Sequence, residues 1–484
     1  MKHSTKLTKS KILATLGPST NTMEDIRKLS EIGVDCTRIN FSHGDAEQKR
    51  EIFKNVREAN KKLAILCDIQ GPKIRIGEMK GKGSLLNVGK NIIVTTEIIE
   101  GDAEKVTISY PELPKEVEKG ELIYINDGII CLEVVDVKGN EINCTIMAGG
   151  HLTSRKGVNL PSTEISLSVP TTKDKEDLKL IAELDPEYVA ISFVKSAEDV
   201  KNIRDLLKSY GNGQIKLIAK IERPVALENF DSILEASDGI MVARGDLGVE
   251  IPPEDVIPAQ KEMVRKCNIA GKPVIVATQM LESMVKNPVP TRAEASDVYN
   301  AIADGADAVM LSAETASGDY PENAVAIMER IIRTSESLSL SSKDPDDYDS
   351  DNETYSEIIG HLVYSASKEF CEMDCYSGKI ICITESGYTG QMISKYRPFL
   401  PIIGITSDIR VSREMKLLWG IEALLIEDLH KETDPFARIK MSVKRCLEED
   451  YIDDIDQIIV AGNIFNLKSQ TNMVSVFSVS DVMG

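Results

Sequence analysis

Aromatic residues, histidines and paired cysteines are all scarce in this sequence. Aromatic residues make up 5% of the 484 residues, and there are only five histidines. The nine cysteines form no CxxC pair, so we expect reduced thiols that lie mainly in the core, without a zinc site. Because histidine is so rare, chemistry that depends on a histidine general base is disfavoured.

Long apolar runs and a net positive charge are absent as well. No run reaches the roughly 18 apolar residues of a membrane-spanning helix. The first residues, MKHSTKLTKSK, lead directly into ILATLG without a small-residue cleavage site, so we expect a cytoplasmic location. The formal net charge of −20 opposes binding to nucleic acid and to anionic membranes. An anionic substrate would therefore require a local concentration of lysine and arginine.

Eight short apolar runs are spaced along residues 11–313. Helical patterns lie between most of them, with acidic residues early and glycine near the end. This alternation predicts a (β/α)₈ barrel. The runs are KILATL (11–16), DCTRINF (35–41), AILCDIQ (64–70), YVAISFV (188–194), KLIAKIE (216–222), GIMVARG (239–245), VIVAT (274–278) and AVMLSA (308–313).

The third and fourth runs are separated by a long segment, residues 71–187, that consists mostly of short strand patterns. Gly- and Asn-rich turns punctuate it, and KGNE is a predicted hairpin turn. We expect an inserted all-β lid over the barrel mouth. A polar acidic linker then precedes a second α/β pattern, which predicts a doubly wound domain. The expected domains are a barrel (1–72 and 169–340), a β-rich lid (73–168) and a C-terminal α/β domain (341–484).

Polar residues stand at the carboxyl ends of the predicted barrel strands, where such barrels build active sites. In IKLIAKIERP (215–224), Lys220 and Glu222 lie two apart and therefore face the same side. Taken alone, the pair is also compatible with a structural ion pair. Glu222 and Asp246, on adjacent strands, suit Mg²⁺ or Mn²⁺. A metal surrounded by cations favours an anionic substrate and phosphoryl chemistry. The expected cations are Arg38, Arg75, Lys220 and Arg244.

Seven ordered motifs resemble those of the pyruvate kinase family and cover nearly the whole predicted barrel and the lid hinge. The resemblance implies that a phosphoryl group passes from phosphoenolpyruvate to ADP and that the enolate is then protonated to pyruvate. It also implies a divalent metal, a second Mg²⁺ brought by the nucleotide, and a homotetramer. The motifs are TRINFSHG (37–44), GPKIRIG (71–77), KGVNLP (156–161), AKIE (219–222), VARGDLGVEIP (242–252), ATQMLESM (277–284) and LSAETASGDYP (311–321).

The resemblance also implies roles for the residues at matching positions. Glu222 and Asp246 would hold the metal, and Lys220 would neutralise the transferring phosphoryl group and the nascent enolate. Thr278 would lie near the methylene carbon and, with Ser312, would route a proton through water. The implied catalytic residues are Lys220, Arg38, Thr278 and Ser312; the substrate-binding residues are Arg38, Lys220, Gly245, Asp246 and Thr278; the nucleotide-binding residues are Asn40, Phe41, Ser42, His43, Arg75 and Lys156.

One motif, CDIQGPKIRIG (67–77), departs from the family pattern. Many relatives place Thr, Lys and Glu where this chain has Ile69, Gln70 and Lys73, and those relatives require K⁺. The tethered ammonium of Lys73 would replace the free ion, which predicts an enzyme independent of monovalent cations. A solvated hinge lysine is the alternative. The expected pocket consists of Asn40, Ser42 and Asp68, with Lys73 as the surrogate cation.

A second phosphate site is predicted at TESGYTG (384–390), which follows a strand and opens a helix. The family often binds a sugar phosphate effector here, and a plain turn is the alternative. The later loop GNIFNLKSQTN (462–472) offers only Lys468, so a monophosphate effector, or none, is favoured over a bisphosphate. The candidate residues are Thr384, Ser386, Gly387 and Thr389.

Two other functions are compatible with parts of this pattern. A metal-dependent lyase or aldolase of phosphoenolpyruvate or pyruvate would also use a barrel with Glu and Asp ligands, but it needs neither ADP nor a lid. A noncatalytic metabolite sensor would not require Lys220, Glu222 and Asp246, which are all present. Nucleotide-dependent formation of pyruvate separates these possibilities.

Overall fold

Eight parallel strands form a closed barrel in the computed structural model, which describes residues 8–163, 165–339, 354–372, 378–463 and 471–484. The eight strands coincide with the eight predicted apolar runs, so the predicted (β/α)₈ barrel is confirmed. Lys468, which was singled out above, and one of the nine cysteines, Cys375, lie outside the described ranges. The eight cysteines within those ranges are free thiols, and seven of them are buried.

The first part of the barrel consists of three strands and two helices. These elements are β1 (Lys11–Leu16), α1 (Met23–Ile32), β2 (Cys36–Asn40), α2 (Ala46–Ala59) and β3 (Ala64–Ile69). Each helix begins at a side-chain N-cap: Thr22 accepts from the N–H of Asp25, and Asp45 from that of Gln48. These caps fix where each helix begins. They therefore limit the length of the rim loop between each strand and the helix that follows it.

An all-β module follows β3, as predicted. Its elements are β4 (Ser84–Leu86), β5 (Asn91–Thr95), β6 (Lys105–Thr107), α3 (Leu113–Glu116), β7 (Leu122–Ile125), β8 (Ile130–Lys138), β9 (Glu141–Ala148), β10 (Gly150–Leu152) and β11 (Val158–Asn159). A two-residue turn within KGNE joins β8 to β9, and Gly139 adopts a φ of 62° there, which a glycine tolerates at little cost. The module has an apolar core of its own. We refer to β4–β11 as the lid.

The chain then returns to complete the barrel with five further strands. The elements are α4 (Thr172–Leu184), β12 (Tyr188–Ile191), α5 (Ala197–Ser209), β13 (Lys216–Ile221), α6 (Pro224–Glu228), α7 (Phe230–Ala236), β14 (Gly239–Ala243), α8 (Arg244–Glu250), α9 (Pro253–Ala270), β15 (Val274–Ala277), α10 (Arg292–Asp304), β16 (Ala308–Leu311), α11 (Ala313–Ala316) and α12 (Pro321–Ser339). β16 pairs with β1 and closes the barrel. Because all eight strands are parallel, their carboxyl ends meet at one rim.

The C-terminal domain is an open α/β sheet. Its elements are α13 (Tyr355–Glu372), β17 (Gly378–Ile383), α14 (Tyr388–Lys395), β18 (Ile402–Thr406), α15 (Ile409–Glu414), β19 (Ile421–Leu425), α16 (Pro435–Glu448), β20 (Gln457–Gly462), β21 (Met473–Ser478) and α17 (Val479–Met483). The strand order is β19-β18-β17-β20-β21, with β21 antiparallel to β20. Two apolar clusters involve alternate residues of these strands, which confirms the doubly wound arrangement.

The C-terminal domain also closes the amino-terminal end of the barrel. Leu417 is fully buried in the cluster of barrel-interior side chains that includes Leu13 and Leu66. The hydroxyl of Tyr188 donates to the carbonyl oxygen of Glu414 at 2.6 Å. The rim that remains for a functional site is therefore the opposite, carboxyl end. In the described part of the chain, no helix has the length and apolarity that a membrane crossing requires.

Candidate active site

Lys220, near the end of β13, lies at the centre of a polar cluster on the rim. Its amine is 2.7 Å from Ser192 Oγ, 3.0 Å from Glu222 Oε1 and 3.4 Å from Asp68 Oδ1. Only 11% of the Lys220 side chain is exposed. Lys220 and Glu222 therefore face the same side, as their two-residue spacing predicts.

Lys220 remains charged although it is buried. Burial opposes the ammonium form, but the carboxylates of Asp68 and Glu222 outweigh this cost and raise the pKa of Lys220 above its ordinary value. For Asp68, burial favours the neutral acid, and the charges of Lys220 and Arg38 more than compensate, so the pKa of Asp68 is lowered. The rim thus holds a fixed positive charge at physiological pH.

Asp68, near the end of β3, holds a second cation beside Lys220. Arg38 Nε, on β2, lies 2.7 Å from Asp68 Oδ2, and Arg38 Nη1 donates to Thr15 Oγ1 on β1 at 3.1 Å. Three neighbouring strands therefore position the guanidinium. One buried carboxylate orients both Arg38 and Lys220 toward the same part of the rim.

Glu222 and Asp246 are the carboxylates of the predicted metal site. Glu222 is buried, and its Oε2 accepts from the N–H of Phe193 at 2.7 Å. Burial and the negative charge of Asp246 raise the pKa of Glu222 against the opposing effect of Lys220. Asp246 lies in the first turn of α8.

This donor set suits a small divalent cation. Two buried or half-buried carboxylates that repel each other are hard oxygen ligands, and a dication would remove the repulsion. No cluster of three or more His, Cys, Asp or Glu residues was found among the described residues. Substrate and water would therefore have to complete the octahedron that Mg²⁺ prefers.

Lys73 lies in the lid hinge, the chain segment that leads from β3 into the lid. It contacts Asp246, one of the two carboxylates of the predicted metal site. Its amine is 3.1 Å from Asp246 Oδ1, and 27% of its side chain is exposed. We expected Lys73 beside Asp68, but its described ion pair is with Asp246. Both oxygens of Asp68 are instead contacted by Arg38 and Lys220. The tethered ammonium is therefore placed beside the metal ligand rather than in the predicted monovalent-cation pocket.

The loop after β2, residues 40–43, is held by two lysines that sequence reasoning missed. Lys49 donates to the main-chain carbonyls of Asn40, at 2.5 Å, and His43. Lys173, on α4, donates to a third carbonyl of this loop at 2.9 Å. No local pattern marks these lysines, because each acts across a gap between separate elements. They orient a loop whose side chains are the predicted nucleotide contacts.

His43 lies among cations at the edge of the site. Burial and the charges of Arg75, Lys49 and Arg38 lower the pKa of His43, so its imidazole is neutral near pH 7. Arg75 also donates to the carbonyl of Arg155 across the lid hinge at 3.0 Å. The predicted concentration of positive charge is therefore present between the rim and the lid, where an anionic phosphate would fit.

Thr278, directly after β15, has a strained backbone. Its φ of 68° lies in a region that β-branched residues rarely adopt. Thr278 Oγ1 accepts from the N–H of Gly245 at 2.7 Å. Arg244 donates to the Thr278 carbonyl at 2.9 Å and pairs with Asp297 at 2.6 Å. Arg244 is thus committed to Asp297 and the main chain, and does not add the free charge that we expected beside the metal.

Ser312 and Lys156 occupy the two flanks of the site. The N–H of Ser312 donates to Glu314 Oε2 at 2.7 Å, and Glu314 is fully buried. Lys156 lies on the lid hinge, where its carbonyl accepts from the N–H of Ile76 at 2.8 Å. Among the described contacts, none joins Ser312 directly to Thr278.

The predicted effector loop connects β17 to α14 at the carboxyl edge of the C-terminal sheet. Thr384 Oγ1 accepts from the N–H of Gly387 at 3.0 Å, and Gly387 adopts a φ of 80°. Ser386 is exposed. Thr389 is buried and shares a hydrogen bond of 2.7 Å with Thr471 Oγ1. The hydroxyl of Thr389 is therefore engaged inside the domain and is not free at the loop.

Comparisons with known proteins agree along nearly the whole chain. The family model "Pyruvate kinase, barrel domain" matches residues 7–325, and "Pyruvate kinase, alpha/beta domain" matches residues 364–477. The pyruvate kinase of Bacillus licheniformis is 40% identical over 98% of this chain and 81% of its own length. That of Clostridium acetobutylicum is 40% identical over 97% of this chain and 99% of its own length. A crystal structure of a pyruvate kinase from Cryptosporidium parvum has a TM-score of 0.88, is 36% identical, and matches 98% of this chain and 96% of its own.

Proposed function

The chain belongs to the pyruvate kinase family, and we propose that it transfers the phosphoryl group of phosphoenolpyruvate to ADP, forming pyruvate and ATP. The observation that best supports this proposal is the buried, charged amine of Lys220 beside Glu222. Phosphoryl transfer is catalysed mainly by positioning and by charge stabilisation, and this cluster supplies both.

Lys220 would stabilise the negative charge that develops on the transferring phosphoryl group and the enolate oxygen. Its amine is already desolvated and held by Ser192 and Asp68, so little reorganisation is needed during the reaction. Arg38, fixed by Asp68, would bind the phosphate beside it. A preorganised pair of cations would stabilise the developing negative charge more strongly here than in water, because the local dielectric constant is low.

Glu222 and Asp246 would hold Mg²⁺ or Mn²⁺. Such an ion, when bound, supplies a Lewis acid that polarises the substrate oxygens. Glu222 is fixed by the N–H of Phe193, which keeps its carboxylate oriented. A second Mg²⁺ would arrive with the nucleotide phosphates.

Gly245 and Thr278 would bind the substrate at the opposite side from Lys220. The N–H of Gly245 now donates to Thr278 Oγ1, and the backbone at Gly245 and Asp246 would bind the substrate carboxylate. Thr278, with Ser312, would pass a proton to the enolate carbon through water. The strain at Thr278 supports such a role, because costly backbone conformations cluster at functional sites.

The nucleotide would bind between the rim and the lid. Arg75, Lys156 and the loop of residues 40–43 would contact it, and neutral His43 could serve as donor or acceptor. Closure of the lid would exclude water, which otherwise competes with ADP for the phosphoryl group.

We propose that monovalent cations are not required. Lys73 brings a covalently attached positive charge to Asp246 at 3.1 Å, inside the site itself. Ile69, by contrast, is fully buried and has no side-chain oxygen to offer a free cation. The ammonium of Lys73 would therefore take the part of the free ion.

The remaining proposals concern organisation and regulation. The chain would divide into a barrel (1–72 and 169–340), a lid domain (73–168) and a C-terminal domain (341–484), and would act as a cytoplasmic homotetramer. The loop containing Thr384, Ser386 and Gly387 would bind a sugar monophosphate. Titration of candidate sugar phosphates at subsaturating phosphoenolpyruvate tests this, and a flat response to all of them would remove the proposal.

A coupled assay of pyruvate release tests the main proposal. Purified protein with Mg²⁺ should form pyruvate and ATP in equal amounts, and only when both phosphoenolpyruvate and ADP are present. Pyruvate formed without ADP would indicate a lyase or phosphatase instead. An inactive, folded protein would favour the noncatalytic alternative.

A further inference from the structure

Polar side chains that follow three consecutive barrel strands contact the segment that returns from the lid, residues 158–163 and 165–167. One side chain after each of β12, β13 and β14 makes the contact. The contacts are Lys195 Nζ to Leu167 O at 2.8 Å, Arg223 Nη2 to Leu160 O at 3.3 Å, and Asn159 Nδ2 to Glu250 Oε1 at 2.9 Å.

Two of these side chains belong to the elements that carry the metal carboxylates. Arg223 directly follows Glu222, and Glu250 lies one helical turn after Asp246 on α8. Both are largely buried, with 12% of the Arg223 side chain and 3% of the Glu250 side chain exposed. A movement of the returning segment would therefore pull on the same short elements that hold the metal ligands.

Glu250 is oriented by Arg223 as well as by the lid. Its second oxygen, Oε2, has no hydrogen-bond partner among the described residues and lies 3.9 Å from Arg223 Nε. It lines a cavity of about 30 Å³ together with Asn159 and Phe193. The carboxylate of Glu250 is therefore contacted by Asn159 from the returning segment and by Arg223 from the barrel.

The tethered segment is joined to the outgoing hinge. Main-chain hydrogen bonds of 2.8 and 3.0 Å connect residues 73–76 to residues 156–159. These two segments carry Lys73, Arg75 and Lys156. A contact that holds Asn159 in place therefore also holds Lys73, Arg75 and Lys156, the cations that would approach the nucleotide and the metal from the lid side.

We propose that Asn159, Arg223 and Glu250 form a latch that sets the orientation of the lid over the metal site. The three are positioning residues for nucleotide binding, and this inference rests on the proposed function. The latch does not touch Lys220 or the transferring phosphoryl group. Loosening it should therefore weaken ADP binding much more than it slows the reaction of bound substrates.

The test compares Asn159→Ala and Glu250→Gln with Glu254→Gln, a matched control in which an exposed carboxylate on α9 is neutralised. The loss of the hydrogen bond to a charged group should raise the KM for ADP about tenfold in Asn159→Ala, whereas Glu250→Gln, whose amide oxygen can still accept from Asn159, should raise it by a smaller factor. The kcat and the KM for phosphoenolpyruvate should stay within about twofold of wild type, as should all constants of the control.

Hydrogen exchange supplies a second readout that does not depend on activity. Amides of residues 156–163 should exchange faster in both latch variants than in the control, without any ligand. An unchanged KM for ADP in Asn159→Ala, which leaves all charges in place, would overturn the latch whatever happens in Glu250→Gln. If the wild type lacks ADP-dependent activity, the proposed function fails, and unchanged exchange in both variants would then overturn the latch separately.

Discussion

Lys73 and Asp246 form an ion pair, with Nζ 3.1 Å from Oδ1, that joins the lid hinge to the metal carboxylates. Lys73 lies in the irregular segment that leads from β3 into the lid, and Asp246 lies in the first turn of α8. The pair therefore places a permanent positive charge where substrate, metal and lid meet. This arrangement accounts physically for the proposed independence from monovalent cations.

Substitution of Lys73 by Gln should create a dependence on K⁺. Wild-type activity should be the same with K⁺, with NH₄⁺ or with neither. Lys73→Gln should lose about tenfold or more in kcat/KM, the equivalent of about 1.4 kcal/mol, and added K⁺ should restore part of it. Lys80→Gln, on the exposed surface of the lid, is the control and should behave like wild type. A wild type that requires K⁺ would contradict the role given to Lys73.

Leu417 should contribute strongly to stability although it lies far from the rim. Leu417→Ala would leave a cavity at the closed end of the barrel and should lower the free energy of unfolding by about 2–5 kcal/mol. Leu85→Ala, in which the leucine is exposed on the lid, should stay within about 0.5 kcal/mol of wild type. Trp419, the single tryptophan, is buried at this junction with Lys9 over its ring, so its fluorescence during urea unfolding reports on the contact. Equal urea midpoints for Leu417→Ala and Leu85→Ala would show that the C-terminal domain does not close the barrel as described.

Lys9 should make the stability of this junction depend on pH. Its amine donates to the carbonyls of Pro398 and Phe399, and burial lowers its pKa to about 8, although Glu336 opposes the shift. An unfolded lysine titrates near 10.5, so between these values the unfolded chain binds more protons than the folded one. The contribution of Lys9 to the free energy of unfolding should therefore rise with pH from about 8 to about 10.5, and should be level below that range.

The measurement for Lys9 is a difference between wild type and Lys9→Met, which keeps the apolar stem over Trp419. Urea unfolding followed by Trp419 fluorescence at several pH values gives this difference. The wild type should gain stability relative to the variant as the pH rises through the stated range. A constant difference, or one that falls, would mean that Lys9 is not desolvated at the junction.

The sequence predicted the features that repeat or that lie close together in the chain. Strand periodicity located all eight barrel strands. The spacing of Lys220 and Glu222 located the centre of the rim, because residues two apart on a strand share one face.

Contacts between distant segments were not predictable in this way. Lys73 pairs with Asp246, which lies 173 residues further along the chain, and Arg244 pairs with Asp297 on a helix that lies 53 residues further along the chain. Lys49 and Lys173 donate to main-chain carbonyls, for which no residue type is a signal. Such contacts depend on which elements become neighbours, and neither periodicity nor composition carries that information.

The most direct test of the account is the turnover of Lys220→Gln with phosphoenolpyruvate, ADP and Mg²⁺. The variant keeps a hydrogen-bonding side chain of similar length but removes the charge, so kcat should fall by at least about 10²–10³-fold. Binding of Mn²⁺, followed by its paramagnetic resonance, should persist because Glu222 and Asp246 remain. A kcat within tenfold of wild type would contradict the claim that the buried charge of Lys220 stabilises the transition state.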